Sequence, residues 1–485
     1  MFVLMAAAEV APYARTGGLG DVLGALPRFL KRRGVDVAVV MPGYRCVRRG
    51  NVAWEPTEWD VQVPISDRWV SAPVWRTEMR DGVPVYAIMA DQYFDRAELY
   101  GEGGQAYTDN AERFAFFSRA VLDLVSALGV PDILHAHDWH AALVPAFLRA
   151  DSARYPWGSS VRTVLTIHNL AYQGSFWPLD WHLLCLDHRY FSFDAFEAWG
   201  NINYLKAGIM FADWLTTVSP TYAQEIQRPE YGCGLDGALR YRAARLTGIL
   251  NGVDYEEWDP SSDPALPRPF RVDDLGGRVA VKASVQREFG WTADPNTPLL
   301  GTVSRLVAEK GMALLADIAP ELLRRGVQLA VLGKGNPQWE RTWAELASRH
   351  RDRMGVALRF DQTLAKRMYG GCDLFLMPSQ FEPCGLAQMY AMRYGAVPVV
   401  HATGGLEDSV VDADEHPDAG TGFKFRPWTA DRFLEAIDRA LRAYHEAARW
   451  QGIVQKAMRA DFSWSRSAAQ YHDLYTRALG AKPST

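Results

Sequence analysis

The residues of this chain that a packed core would not need stand where glycine-bearing loops follow apolar runs. In GTVSRLVAEKG, Arg305 and Lys310 lie five apart beyond a strand-like stretch. Two cations around a short turn can hold a diphosphate, the arginine as a planar fork and the lysine as a point charge. The competing reading makes one of them a solvated surface cation. In SQFEPCGLAQ, Glu382 follows the apolar run Cys372–Pro378 and precedes Gly385 and Leu386, where a helical pattern starts. That places a carboxylate at a strand's carboxyl end, where open α/β sheets bind ligands, beside helix amides able to receive one.

Two more turns have the composition of anion sites. RTGGLGD sets Arg15, Gly17, Gly18, Gly20 and Asp21 between a strand and a helix, and HATGGLEDSV sets Thr403, Gly404 and Gly405 after another strand. Both predict backbone N–H groups turned toward negative charge. The first lacks the dinucleotide fingerprint and the GxxxxGK[ST] spacing, so a plain glycine turn competes, and Asp21 also fits an ordinary first-turn helix acid.

The histidines read differently. HAHDWHAA carries His135, His137, Asp138 and His140, which invites a metal. HExxH is missing, however, and alternate strand residues face opposite sides. The expectation is therefore no metal, with His137 and Asp138 ending a strand and Asp138 capping the next helix. TIHNLAYQG puts His168 at a further strand end, with Tyr172 and Gln173 on the loop beyond it, and a satisfied structural histidine is the competing reading.

The elements that must position these groups alternate regularly. FVLMAAAE, VDVAVVMP, VPVYAIM, PDILHAH and VRTVLTIHN read as strands, with helices over LGDVLGALPRFLKRRG, Asn110–Leu128 and Asp138–Leu148 between them. The pattern restarts with TPLLGTVSR, VQLAVLGKG, GVALRF, CDLFLMPS and AVPVVHATGG, again with helices between. Such alternation predicts two α/β domains, each a mostly parallel, doubly wound Rossmann-like sheet, facing one another across a deep cleft. A chain of 485 residues exceeds the roughly 250–300 at which a single core stops growing. Residues 1–258 are expected as the first domain, 259–277 (DPSSDPALPRPFRVDDLGG) as a linker, and 278–459 as the second.

Composition excludes several classes. With 48% apolar and 22% charged residues the chain is an ordinary globular one, and a formal charge of −5 gives nucleic acid no support as the main partner. Cys46, Cys185, Cys233, Cys372 and Cys384 form no CxxC pair, which fits a reducing compartment rather than a disulfide scaffold. No uninterrupted apolar run is long enough to cross a bilayer and MFVLMAAA lacks a basic n-region, so a cytoplasmic location is expected.

RTGGLGDV, YFDRAELYG, HAHDWHAAL, IHNLAYQG, LNGVDYEEWDP, SRLVAEKG, PSQFEPCGLAQMYAMRYG and TGGLEDSV occur in this order over nearly the whole chain. Together they resemble the bacterial and plastid glycogen/starch synthases, retaining glucosyltransferases of the GT-B fold that use ADP-glucose. The resemblance implies that Arg305 and Lys310 bind the donor diphosphate and stabilise its departure, that Glu382 contacts the transferred glucose, and that His168 positions that sugar. It places Arg15, Gly17, Gly18, Asp21, Cys384, Gly385, Leu386, Thr403, Gly404 and Gly405 near the donor, and Asp138 and Asn251 along the cleft. WSRSAAQYHDLYTRAL resembles the terminal helix that crosses back to the first domain, here within 460–485.

What the resemblance implies is transfer of an α-glucosyl unit from ADP-glucose to the non-reducing end of glycogen or another α-1,4-glucan, with release of ADP and no cofactor. Three positions depart from the family pattern: Arg15 replaces the usual lysine, and Gln380 and Ala402 replace usual arginines, which bears on the choice of base. A related group with two glutamates eight apart would place its second acid at Tyr390. The alternatives are a relative using UDP-glucose or a small acceptor, and a silent glucan-binding protein.

Overall fold

In the computed structural model, which describes residues 1–481, the chain forms two compact units. The first runs from Met1 to Gly252 and takes in the helix Trp464–Gly480; the second runs from Val253 to Ser463.

The first unit is built on one nine-stranded sheet. Its order across the sheet is Leu246–Gly248, Trp214–Thr217, Arg162–Ile167, Ile133–His137, Phe2–Ala6, Asp36–Pro42, Pro84–Ile88, Arg68–Glu78 and Glu55–Ile65. The first seven run parallel, and the last two form an antiparallel hairpin on one edge. Strands such as Ile133–His137 are buried along their whole length, as a parallel sheet covered on both faces requires. Strand order reverses between Phe2–Ala6 and Ile133–His137, the place where such sheets open a crevice at their carboxyl ends. The helix Gly18–Arg32 packs against the terminal helix Trp464–Gly480. That helix is pinned to the sheet by Tyr475, whose hydroxyl lies 2.6 Å from His135 Nδ1, and by Ser467, which donates to the carbonyl of Leu250 at 2.7 Å.

The second unit carries a six-stranded, all-parallel sheet in the order Met354–Ala357, Gln328–Leu332, Leu299–Val303, Leu374–Met377, Val397–His401 and Phe423–Phe425. Its switch point falls between Leu299–Val303 and Leu374–Met377. Asp259–Gly277, expected as a linker, is part of this unit: Leu266 and Phe270 are core residues within it. Prolines and aspartates there remove any periodic pattern, yet two apolar anchors suffice to bind the segment to the core. Val253 likewise belongs to the second unit, its N–H donating to the carbonyl of Phe462 at 2.7 Å.

Helices and strands of both units fall close to the expected places. The helix expected over Asp138–Leu148 is interrupted, forming Asp138–Ala141 and then Leu143–Ala150. Among the described residues no helix is long and apolar enough to cross a membrane.

Candidate active site

In the second unit a cavity of about 170 Å³ opens at the switch point, lined by the ends of the strands Leu299–Val303 and Leu374–Met377 and by Arg305, Lys310, Glu382, Gly385 and Leu386. Its charged centre is one ion pair. Lys310 Nζ donates to both carboxylate oxygens of Glu382, at 2.8 and 2.6 Å, and Ser379 Oγ donates to the same carboxylate at 2.9 Å. Glu382 is buried, so the pair is worth far more in electrostatic terms than a surface one. Arg305 stands free of that pair, 60% exposed, and 3.6 Å from Glu309.

Close backbone approach sets this geometry. Gly311, directly after Lys310, has φ +71°, and a Cβ there would lie 2.0 Å from the carbonyl oxygen of Pro378. Only glycine lets the lysine turn lie against the loop that bears Glu382. That loop is fastened from behind: Trp428 Nε1 donates to the Pro378 carbonyl at 2.8 Å, and His401 Nδ1 lies 2.9 Å from the Ser379 carbonyl. Burial holds the His401 ring below its ordinary pKa, which leaves Nδ1–H to donate to that carbonyl. Thr403, Gly404 and Gly405 do not line the cavity. Gly405 instead donates its N–H to the carbonyls of Glu382 and Pro383, both at 3.1 Å, and a Cβ on it would lie 2.1 Å from the Cys384 carbonyl. The expectation that this turn offers its amides to an anion is corrected for Gly405: its N–H supports the Glu382 loop. Cys384, two residues past Glu382 in the same loop, is buried.

The first unit gathers its polar groups at its own switch point. His137 ends the strand Ile133–His137 and its Nδ1 lies 3.1 Å from His168 Nε2. Asp138 follows with φ +56°, a left-handed conformation that is strained for a non-glycine residue. It caps no helix, contrary to expectation; its carboxylate accepts the backbone N–H of His168 at 2.7 Å and so ties two strand ends together. His140 is stacked between Trp139 and Tyr100, with ring centroids 4.0 and 4.5 Å away. His135 lies deeper, bonded on both nitrogens, and is structural.

Burial dominates the electrostatics here. It pushes His135 and His168 down to about 3, and His137 and His140 well below their ordinary value. It pushes the Asp138 carboxyl up to about 7, against the opposing pull of the His168 and Asn169 amides. His137 Nε2, His140 Nδ1 and Asn251 Oδ1 are among the buried polar atoms of this unit that have no hydrogen-bond partner among the described residues. Such atoms are costly unless something satisfies them, which is what a hydroxyl-rich ligand would do. No group of His, Cys, Asp and Glu among the described residues is arranged to hold a metal ion.

The glycine loop departs from expectation in the same way as Gly405. The N–H of Gly17 donates to Glu9 at 3.2 Å, and Arg15 pairs with Asp21 at 3.0 Å on the surface. A Cβ at Gly17 or Gly18 would meet nothing within 4 Å, so the two glycines leave room that the chain does not fill.

Glu9, Tyr100, Ser379 and His401 escaped the sequence reading. Glu9 lies three residues past the strand Phe2–Ala6, where the strand-end rule applied to the other motifs would have found it. Tyr390, where a second acid would stand in a related group, is stacked on Trp258 with centroids 3.7 Å apart and planes 9° from parallel. The position serves packing.

Residues 2–241 match the family described as starch synthase catalytic domain, and residues 286–456 match glycosyl transferases group 1. The chain is 45% identical over 480 residues to the glycogen synthase of Syntrophotalea carbinolica, covering 99% of each. It is 47% identical to that of Anaeromyxobacter dehalogenans, covering 98% of each. Its structure superposes on the catalytic domain of starch synthase IV from Arabidopsis thaliana, bound to ADP and acarbose, with a TM-score of 0.90 at 35% identity over 99% of both chains. Sucrose-phosphate synthase from Thermosynechococcus elongatus shares the fold, at a TM-score of 0.60 and 17% identity.

Proposed function

This chain belongs to the glycogen and starch synthase family, glycosyltransferases of the GT-B fold, and we propose from that premise that it carries an α-D-glucosyl unit from ADP-glucose to the non-reducing end of an α-1,4-glucan, releasing ADP. The observation that carries the reading is the Lys310–Glu382 pair with Arg305 at the switch point of the second unit. A departing diphosphate develops negative charge, and fixed cations in a partly dry cavity stabilise that charge where it forms. Arg305 is the planar fork for the phosphates and Lys310 the point charge.

Glu382 has both oxygens engaged by Lys310 and one also by Ser379. A carboxylate so held is suited to orient the lysine and meet the sugar and poorly placed to attack C1. Retention then follows from departure and attack on the same face, with a β-phosphate oxygen taking the proton of the incoming 4-hydroxyl. The C1–O bond to ADP breaks, the C1–O4 bond forms, and the proton leaves on ADP.

The first unit contributes uncharged hydrogen-bonding groups. His168 is neutral, half-buried and oriented by His137, and Asn251 Oδ1 is a free acceptor, which suits sugar hydroxyls. Gly17 and Gly18 leave room in the glycine loop that the chain does not fill. A chain acting on a soluble glucan with a soluble donor is placed in the cytoplasm.

The test is incubation of the purified chain with glycogen and either ADP-glucose or UDP-glucose, following nucleoside diphosphate release and chain extension. Extension with ADP release supports the reading. Faster extension from UDP-glucose replaces the donor, and no release from either sinks the transferase reading.

A further inference from the structure

Glu9 is the least expected feature of the first unit. It is 4% exposed, and its carboxylate gathers four donors: Thr16 N–H and Thr16 Oγ–H, both at 2.6 Å, Gly17 N–H at 3.2 Å and the Tyr100 hydroxyl at 2.8 Å. Three of the four come from the loop that leads into the helix Gly18–Arg32. The helix has no side-chain cap of its own, and Glu9, from the preceding strand's end, supplies the negative charge that its first turn favours.

The fourth donor carries the contact further. The Tyr100 ring is stacked on His140, His140 on Trp139, and a Cβ on Gly174 would lie 2.3 Å from the Trp139 ring, so the stack ends against the loop that follows His168. One buried carboxylate thus joins the glycine loop to the rings beneath the other loops of this crevice.

We propose that Glu9 is the positioning residue of the glycine loop, fixing Thr16 and Gly17 so that the bound donor meets a preset backbone rather than one it must order itself. The inference rests on the reading that this loop faces the sugar donor. A rigid loop costs nothing to order at binding, whereas displacement of such a wall by an ångström is felt at the reacting centre.

Glu9→Gln tests it, because the amide keeps an acceptor for the Thr16 and Gly17 N–H groups but removes the negative charge and turns an NH2 toward the Thr16 and Tyr100 hydroxyls, which must then reverse from donating to accepting. Its kcat/KM for ADP-glucose is expected to fall on the order of 10- to 100-fold with the KM for glycogen unchanged. Thr16→Val is expected to lose part of this and Thr16→Ser, which keeps the hydroxyl, to restore it. Adding Thr16→Val to Glu9→Gln is expected to cost little more, since both act through one contact. Hydrogen exchange at the amides of Thr16 and Gly17 is expected to rise in Glu9→Gln.

The proposal is overturned if Glu9→Gln keeps kcat/KM within about two-fold of wild type, if the two substitutions multiply in full, or if exchange at the loop is unchanged. Should Glu9→Gln fail to fold, the Thr16→Val and Thr16→Ser pair decides alone, and equal activity in both overturns it. A wild-type chain that transfers nothing from ADP-glucose sinks the functional reading instead, and loop exchange still decides whether Glu9 holds the loop.

Discussion

The two units solve the same topological problem with opposite electrostatics. Each is a parallel sheet that gathers polar residues at its switch point. In the second unit those residues are ions: Lys310 on Glu382, with Arg305 exposed beside them. In the first they are uncharged rings, His137, His140 and His168, with a carboxyl pushed up to about 7, while a further carboxylate, Glu9, is engaged by the glycine loop and the Tyr100 hydroxyl. The difference follows what each half would handle. A departing diphosphate carries charge and calls for fixed cations; a sugar carries hydroxyls and calls for neutral donors and acceptors in fixed positions.

The division is broken most directly at Lys310. Lys310→Ala removes the charge proposed to meet the departing phosphate, and kcat for ADP release should fall on the order of 10³-fold with the ADP-glucose KM changed far less. Circular dichroism and melting temperature check that the fold survives with Glu382 unpartnered by lysine. Turnover near wild type in a folded Lys310→Ala would end the charged half of the comparison. His168→Gln should cost less, on the order of 10-fold in kcat/KM, because a neutral hydrogen bond of about 1 kcal/mol is exchanged for a poorer one. If His168→Gln proved the more damaging of the two, the roles assigned to the units would be reversed.

The units should also differ in acid. A histidine held below its ordinary 6.5 gives stability that is present above 6.5 and lost as pH falls toward its folded value, about 3 for His135 and His168. Asp138 runs the other way. Its carboxyl, raised from 3.8 to about 7, gives stability present below 3.8 and lost as pH rises through 7. Four lowered histidines outweigh one raised aspartate, so the first unit should loosen first on acidification. Hydrogen exchange at pH 7 and pH 5 checks this, with protection at 133–141 falling more than at 374–377. Asp138→Asn separates the opposing component: asparagine tolerates positive φ and still accepts the His168 N–H. Between pH 5 and 8 the wild type should lose roughly 5 °C of melting temperature relative to Asp138→Asn. A constant difference across that range would show that Asp138 does not titrate there.

The same contrast governs what was legible in the sequence. Strand ends such as those before Arg305 and Glu382 are visible because parallel strands are continuous apolar runs, and each run ends where the chemistry starts. The hairpin Glu55–Ile65 and Arg68–Glu78 was not visible, because prolines at 56, 64 and 73 interrupt its alternation. Within the site, charged groups on loops announced themselves and their supports did not. Glu9 is a single acid after a strand, and nothing in its neighbours shows that Thr16, Gly17 and Tyr100 will converge on it. The glycines misled for a related reason: a GG turn looks the same whether its amides face a ligand or, as with Gly405, a neighbouring carbonyl. Composition shows that the backbone can come close, and only the fold shows to what.

Arg15 gives the smallest test of the division. It is the one cation in the glycine loop RTGGLGD, and it stands where the resemblance to the family implies a lysine. If the first unit needed charge, its loss or reshaping would matter as it does at Lys310. Yet Arg15 is 46% exposed and pairs with Asp21 through Nε, an arrangement of the kind worth about 0–1 kcal/mol in water. Arg15→Lys keeps the charge and gives up the planar fork, so kcat/KM for ADP-glucose should change by no more than about three-fold, in either direction. Measuring UDP-glucose alongside shows whether the substitution touches the choice of base. A loss larger than about ten-fold would mean that a cation of the first unit reaches the donor phosphates, since an exposed pair with Asp21 cannot account for that much free energy.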